Sequence, residues 1–277
     1  MKKNISITVL IENTAEVSAL TAEHGLSLYI ETPNHALLSD CGASSAFLDN
    51  AQKLGIDIKS VDTVILSHGH YDHSGGIMPF AEVNKKAKIY MRRSAAGEHY
   101  HGERYIGIDR DILSLPQVVL IESEKVLESI DEELSVFSGI KGTRFLPKGN
   151  SELTRLENGK NMPDDFSHEQ CLVIKRGGGN ILISGCAHNG ILNILDRYRE
   201  LYHDTPSVVI SGFHMMKKTE HDADDIEIIK ETARELAKAD TIYYTGHCTG
   251  QLAFDIMKEI MGEKLRPLHT GRKIKIY

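Results

Sequence analysis

The sequence predicts an α/β fold, and two observations carry that prediction. Short apolar runs with strand periodicity fill the first forty residues, and strand-like and helix-like segments alternate further on. The histidine-bearing turns after residue 60 fall at the C-terminal ends of predicted strands, where open α/β architectures place ligand sites.

Each element has its own justification. Residues 5–11, 26–31 and 35–40 are apolar runs that read as strands, and Asp40-Cys41-Gly42 closes the third. Residues 46–54 read as a short helix with Ser44 or Ser45 as N-cap. The β-branched run 61–66 reads as a buried strand. Residues 77–84 suggest a helix entered through Pro79 near its first turn, and 87–91 another strand. Residues 94–115 are irregular and suit a wall or lid over a cleft; the segment 139–165, rich in Gly, Lys, Asn and Pro, reads as a long functional loop. Short strands are expected at 117–121, 126–127 and from 134. Residues 171–175 and 180–184 flank Arg176-Gly177-Gly178-Gly179, a hairpin signal. A helix at 191–202, a strand at 207–211, a helix at 223–239 capped by Asp222, a strand at 241–245, a helix at 251–260 and an edge strand at 273–277 complete the expected order.

Composition sets the class. The chain has 277 residues, 41% hydrophobic and 26% charged, the profile of an ordinary globular protein. Its net charge of -7 gives no bulk attraction to nucleic acid. The basic cluster Lys85, Lys86, Lys88, Arg92 and Arg93 reads as a solvated edge. No segment approaches the ~20 apolar residues of a membrane span, and the start lacks the pattern of a cleavable leader, so a cytoplasmic protein is expected. Four cysteines without a Cys-x-x-Cys pair are expected to be reduced; Cys41 and Cys171 read as small core residues.

The chemistry concentrates in Leu66-Ser67-His68-Gly69-His70-Tyr71-Asp72-His73-Ser74-Gly75-Gly76. Imidazole and carboxylate are the ligands that borderline divalent cations such as zinc prefer. His68 and His70 could hold one ion while Asp72 and His73 hold a second, with Gly69, Gly75 and Gly76 expected to supply positive-φ backbone. Further ligands are expected at His247, in a strand–Gly–His–helix turn, and at His188, in a Gly-bracketed loop that opens a helix. Cys186 could add a thiolate or simply pack, Cys248 sits in a similar Gly/His-rich turn that could bring it near a metal, His168 is a weaker candidate, and His214 could touch either substrate or metal. His24, His35, His203, His221 and His269 read as surface or core histidines; His99 and His101 could line the cleft, though an exposed polar loop is slightly favoured. Asp40 has a role available as acceptor for a ligand's free ring N–H.

These motifs resemble the metallo-β-lactamase superfamily, whose signature His-x-His-x-Asp-His stands here as His68, His70, Asp72 and His73. The Gly-Cys-Ala-His, Gly-Phe-His and Thr-Gly-His-Cys-Thr-Gly turns resemble the branch named for a dihydropterin-ribofuranosyl-aminobenzene phosphate synthase. The resemblance implies a four-layer αββα sandwich, one domain over 1–277 with a wall or lid within 94–165, and a dinuclear site at one edge of the sheets. Where the superfamily usually places a bridging Asp, this chain has Cys186. The third histidine of the first metal is His188 or His168, with His188 favoured. Two divalent ions, zinc first with iron or manganese as alternatives, would activate water for attack on an ester, phosphodiester or related small molecule. Asp72 would hold a metal and orient the nucleophile, and His214 would donate to the substrate. The rival readings are a phosphoribosyl-aminobenzoate-type synthase and a metal-bound ligand sensor without turnover.

Overall fold

The computed structural model describes residues 4–217 and 219–277. Seven strands form the first sheet, in the order Lys273–Ile276, Ile5–Ile11, Ser27–Glu31, Ala36–Ser39, Thr63–Ile65, Lys88–Arg92, Val118–Ile121. Its pairing is antiparallel up to Ala36–Ser39 and parallel beyond. The second sheet orders Leu265–Pro267, Ile242–Thr245, Val208–Ile210, Ile181–Ile183, Cys171–Ile174, Leu134–Phe137, Leu127–Ser129. There the first three pairings are parallel and the rest antiparallel.

Strand alternation sorts the side chains into layers. Ile5, Ile7 and Val9 of one sheet meet Leu172, Ile174 and Ile183 of the other in a shared central core. Tyr29, Leu38 and Val64 turn outward onto Phe47 and Phe80, from the helices Ala46–Lys53 and Ile77–Val83. On the far side Val173, Leu182 and Val209 pack on Ile194, Tyr198, Ile229 and Met257. Those residues belong to the helices Ile191–Tyr202, Ala223–Ala237 and Gln251–Met261. This is the expected αββα sandwich. Asp222 caps its helix with a full capping box, accepting from the Asp225 backbone N–H. Among the described residues no helix is long and apolar enough to cross a membrane.

The segments expected to be irregular carry more order than their composition suggests. Leu153–Glu157 pairs with Lys160–Pro163 through Asn158 and Gly159, both at positive φ. That Asn-Gly pair is a two-residue hairpin signal, masked by the polar composition around it. Leu153–Glu157 also pairs with Glu98–His101, and Arg104–Tyr105 completes a four-stranded sheet. Leu265–Pro267 was not expected, because three residues ending in Pro make a weak strand signal. The basic cluster does not form one solvated edge. Arg92 is buried and donates to the Ser123 and Lys125 carbonyls, while Arg93 pairs with Glu122.

The motif glycines serve close approach, not positive φ, which corrects the expectation for all three. Gly69, Gly75 and Gly76 are absent from the positive-φ positions. A Cβ on them would stand 2.4 Å from the Ala95 oxygen, 2.2 Å from the Ala43 oxygen and 2.1 Å from the Cys41 oxygen. The motif turn is therefore wedged between the end of Ala36–Ser39 and the turn after Lys88–Arg92. Gly76→Ala is expected to lower unfolding free energy by about 1–3 kcal/mol in denaturant titration. Gly177→Ala, where a Cβ would meet nothing within 4 Å, is the control and should stay within about 0.5 kcal/mol.

Candidate metal centre

Strand ends deliver the site. Thr63–Ile65 leads into Ser67 and His68, and His70 caps the single helical turn Tyr71–Ser74 that carries Asp72 and His73. Cys186 and His188 follow Ile181–Ile183, His214 follows Val208–Ile210, and His247 follows Ile242–Thr245. His214 and His247 both hold positive φ, at 49° and 50°. The neighbouring glycine turns bring these strained residues inward.

Fixed acceptors orient the imidazoles. His73 Nδ1 donates to Asp40 Oδ2 at 2.7 Å. His68 Nδ1 donates to Ser67 Oγ at 2.8 Å, and that hydroxyl donates onward to Asp40 Oδ2 at 2.7 Å. His247 Nδ1 donates to Asn13 Oδ1 at 2.9 Å, and His188 Nδ1 to Asn150 Oδ1 at 3.1 Å. With the proton on Nδ1, each ring turns an Nε2 lone pair inward.

Among the described residues the donor atoms gather in four groups, one of them His70 with His99, Asp164 and His168, and the other three share Cys186. Asp72, His73, Cys186 and His247 have ligand atoms within 4.8 Å of one another, and so do His68, Cys186 and His188. His70 stands beside the second of these, its ring 4.6 Å from that of His68 and 4.8 Å from that of His188. Cys186 thus occupies the shared position. His168, the alternative third ligand, is committed elsewhere: its Nδ1 accepts the Gly69 N–H and its Nε2 lies 3.3 Å from Asp164.

These residues fit divalent cations. The Nε2 atoms of His68, His70 and His188 are buried without any hydrogen-bond partner. Such orphans are costly unless something polar meets them. In the other group, His73 Nε2 and His247 Nε2 face each other at 3.2 Å, with Cys186 Sγ 3.2 Å from the former and Asp72 Oδ2 3.2 Å from the latter. Two lone pairs at that distance need a proton or a cation between them. Burial, reinforced by the other histidines, holds His68 and His188 well below the ordinary imidazole value. Burial also lowers His73, but the Asp40 and Asp72 carboxylates outweigh it and raise the ring to about 9. Burial pushes the Cys186 thiol well up, so it stays neutral until a cation draws off its proton.

The groups lie against a cavity of about 580 Å³. His214 lines it, with a buried Nδ1 that has no partner. Several contributors escape sequence reading. His24 is no bystander: it lines the cavity with Nε2 3.4 Å from Asp72. His99 is buried against Asp164 rather than exposed, and His101 lines the cavity, the less favoured of the two readings offered for that pair. Cys248, whose Gly/His-rich turn already suggests nearness to a metal, completes a small cluster with Cys186 and His214. Asn13, Asn150 and Glu169 carry no spacing signal at all, because their roles depend on contacts between segments distant in sequence.

A family model described as the metallo-beta-lactamase superfamily matches residues 20–247. The chain belongs to the metallo-β-lactamase superfamily. The chain is 29% identical over 297 residues to the "7,8-dihydropterin-6-methyl-4-(beta-D-ribofuranosyl)-aminobenzene-5'-phosphate synthase" of Methanocaldococcus jannaschii, covering 98% of this chain and 97% of that protein. An uncharacterized protein of the same organism is 31% identical over 215 residues, covering 76% of this chain and 79% of that protein. The solved structure of Tm1679, titled a metal-dependent hydrolase of the β-lactamase superfamily, superposes with a TM-score of 0.82 at 31% identity, covering 98% and 99% of the two chains.

Two outcomes are expected for this superfamily member. At pH 7 a cation entering the Asp72–His73–His247 group must displace a proton from His73, whose pKa lies near 9. Its affinity therefore falls as pH drops below about 9, and calorimetry in buffers of different ionisation enthalpy should record proton release. Binding without proton release would overturn the assignment. With cobalt loaded, a thiolate-to-metal charge-transfer band is expected and should vanish in Cys186→Ser.

Proposed function

We propose that the protein is a metal-dependent hydrolase acting on an ester, a phosphodiester or a related small molecule. The observation that carries this reading is the pair of donor groups joined at Cys186 on the wall of a 580 Å³ cavity. His68, His70 and His188 would hold one cation, and Asp72, His73 and His247 a second, with Cys186 between them. Divalent ions so held, zinc first, lower the pKa of bound water towards neutrality and offset negative charge that develops on the substrate. Asp72 keeps its carboxylate charged, since His73 and His247 outweigh the effect of its burial. It is therefore an acceptor that can align an attacking water. His214 stands beside the Cys186 and Cys248 thiols on the cavity wall and would donate to the substrate there.

Cavity electrostatics narrow the roles of the basic residues. Lys148 and Lys217 pair with Asp222 and Asp225, and Arg144 pairs with Asp196 and Glu235. Arg104 stacks over the Tyr71 ring at 4.8 Å on the cavity wall, where an anionic part of a substrate would meet it. We read the chain as one domain, with the sheet built from 98–105 and 153–163 as a wall over the site, and as a cytoplasmic protein with reduced thiols. A second reading, a synthase joining a phosphoribosyl donor to an aminobenzoate, is favoured by the full-length similarity to the methanogen enzyme.

The test is a panel of esters, phosphodiesters and lactones on metal-loaded protein, with the synthase substrates alongside. Turnover is expected in the wild type. His68→Ala and Asp72→Ala should lose at least a hundredfold in kcat together with bound metal, while circular dichroism stays unchanged. Full activity in either variant at matched metal content would reject the proposal. Metal bound with no turnover on any substrate would point to a sensor.

A further inference from the structure

We propose that residues 164–170 form a strap that positions the cation ligands His68, His70 and His188, with His168 as its positioning residue. This rests on the reading of those three histidines as ligands. The strap's inward side chains each bind a different piece of the site. His168 Nδ1 accepts the N–H of Gly69, the one residue between His68 and His70, at 3.0 Å. That acceptance leaves the ring proton on Nε2, which donates to Asp164 Oδ2 at 3.3 Å. The same oxygen accepts His99 Nδ1–H at 2.7 Å, and Asp164 Oδ1 accepts the Phe166 N–H at 2.9 Å.

The remaining strap residues reach the other ligand loop. Phe166 lies flat on the His188 ring, 4.6 Å away with only 6° between planes. Glu169 accepts the His188 N–H at 2.8 Å and the Asn189 N–H at 3.0 Å. The Gln170 N–H donates to the Ser67 carbonyl at 2.8 Å. Seven consecutive residues thereby tie the loop of His68 and His70 to the loop of His188. The Asp164, His99 and His168 side chains are at most 3% exposed.

His70, His99, Asp164 and His168 also stand close enough to group around an ion, but hydrogen bonds already occupy part of that set. Its carboxylate already accepts two imidazole N–H groups, and His168 has no lone pair left. Its physical role is registration. The Gly69 peptide cannot drift without losing its acceptor, and His70 rests beside the His99 and His168 rings at 5.7 and 5.3 Å.

The test compares cation stoichiometry and affinity, by chelator competition, in wild type, His168→Ala, His168→Asn and Asp164→Asn. Asn at 168 places an amide oxygen where Nδ1 stood and keeps the Gly69 acceptor. His168→Ala is expected to retain one tight ion instead of two, the other weakened about 10–100-fold, and His168→Asn to recover most of that loss. Melting of the metal-free proteins reports any general damage. Equal affinity in wild type and His168→Ala overturns the inference alone, and so does equal loss in Ala and Asn. A wild type that binds no ion sinks the ligand reading and the strap together. If His168→Ala fails to fold, Asp164→Asn decides: a weakened first ion supports the strap, and unchanged affinity refutes it.

Discussion

One buried carboxylate organises the chemistry of this protein. Asp40 accepts the Ser67 backbone N–H on one oxygen and both the Ser67 hydroxyl and His73 Nδ1 on the other, each at 2.7 Å. Through His73 it aims one lone pair directly. Through the Ser67 hydroxyl it aims that of His68. One acidic side chain thus sets the tautomers in both donor groups. Its own position is strained, at a φ of 60°, and is held by the strand that ends there and by the backbone bonds of Cys41 and Gly42.

The β-sandwich supplies the rest of the geometry by bringing strand ends together. A register shift between Val9 and Ile11 ends the first strand's alternation and leads into Glu12 and Asn13. Glu12 then accepts the His247 N–H and Asn13 accepts its ring proton. The two segments lie more than 230 residues apart in sequence. Parallel pairing of Ile181–Ile183, Val208–Ile210 and Ile242–Thr245 brings three successive loops to one edge, so Cys186, His214 and His247 arrive side by side. Local strain at His214, His247 and Ala187 is compatible with this because the loops are pinned on both sides.

A thiol at the shared position changes what the site can hold. A bridging carboxylate would be charged without help. Burial holds the Cys186 thiol neutral, so uptake of a cation there would draw off its proton in the same event. Softer borderline ions gain from that exchange relative to hard ones such as magnesium.

Much was legible from residue order. Strand and helix periodicity located the elements of both sheets except Leu265–Pro267, because burial on one face or two leaves a pattern of period 2 or 3.6. The cluster from His68 to His73 announced cation chemistry because so many ligand types in six positions have no packing rationale. What the sequence left open was the partner of each group. His188 was favoured over His168 by sequence context, and the fold supplies the physical reason by pointing one at His68 and binding the other to Gly69 and Asp164. Asn13, Asn150, Asp164 and Glu169 were invisible for the same reason. A ligand's identity is local chemistry, but its orientation comes from hydrogen bonds across the chain, and those exist only once the two sheets have packed.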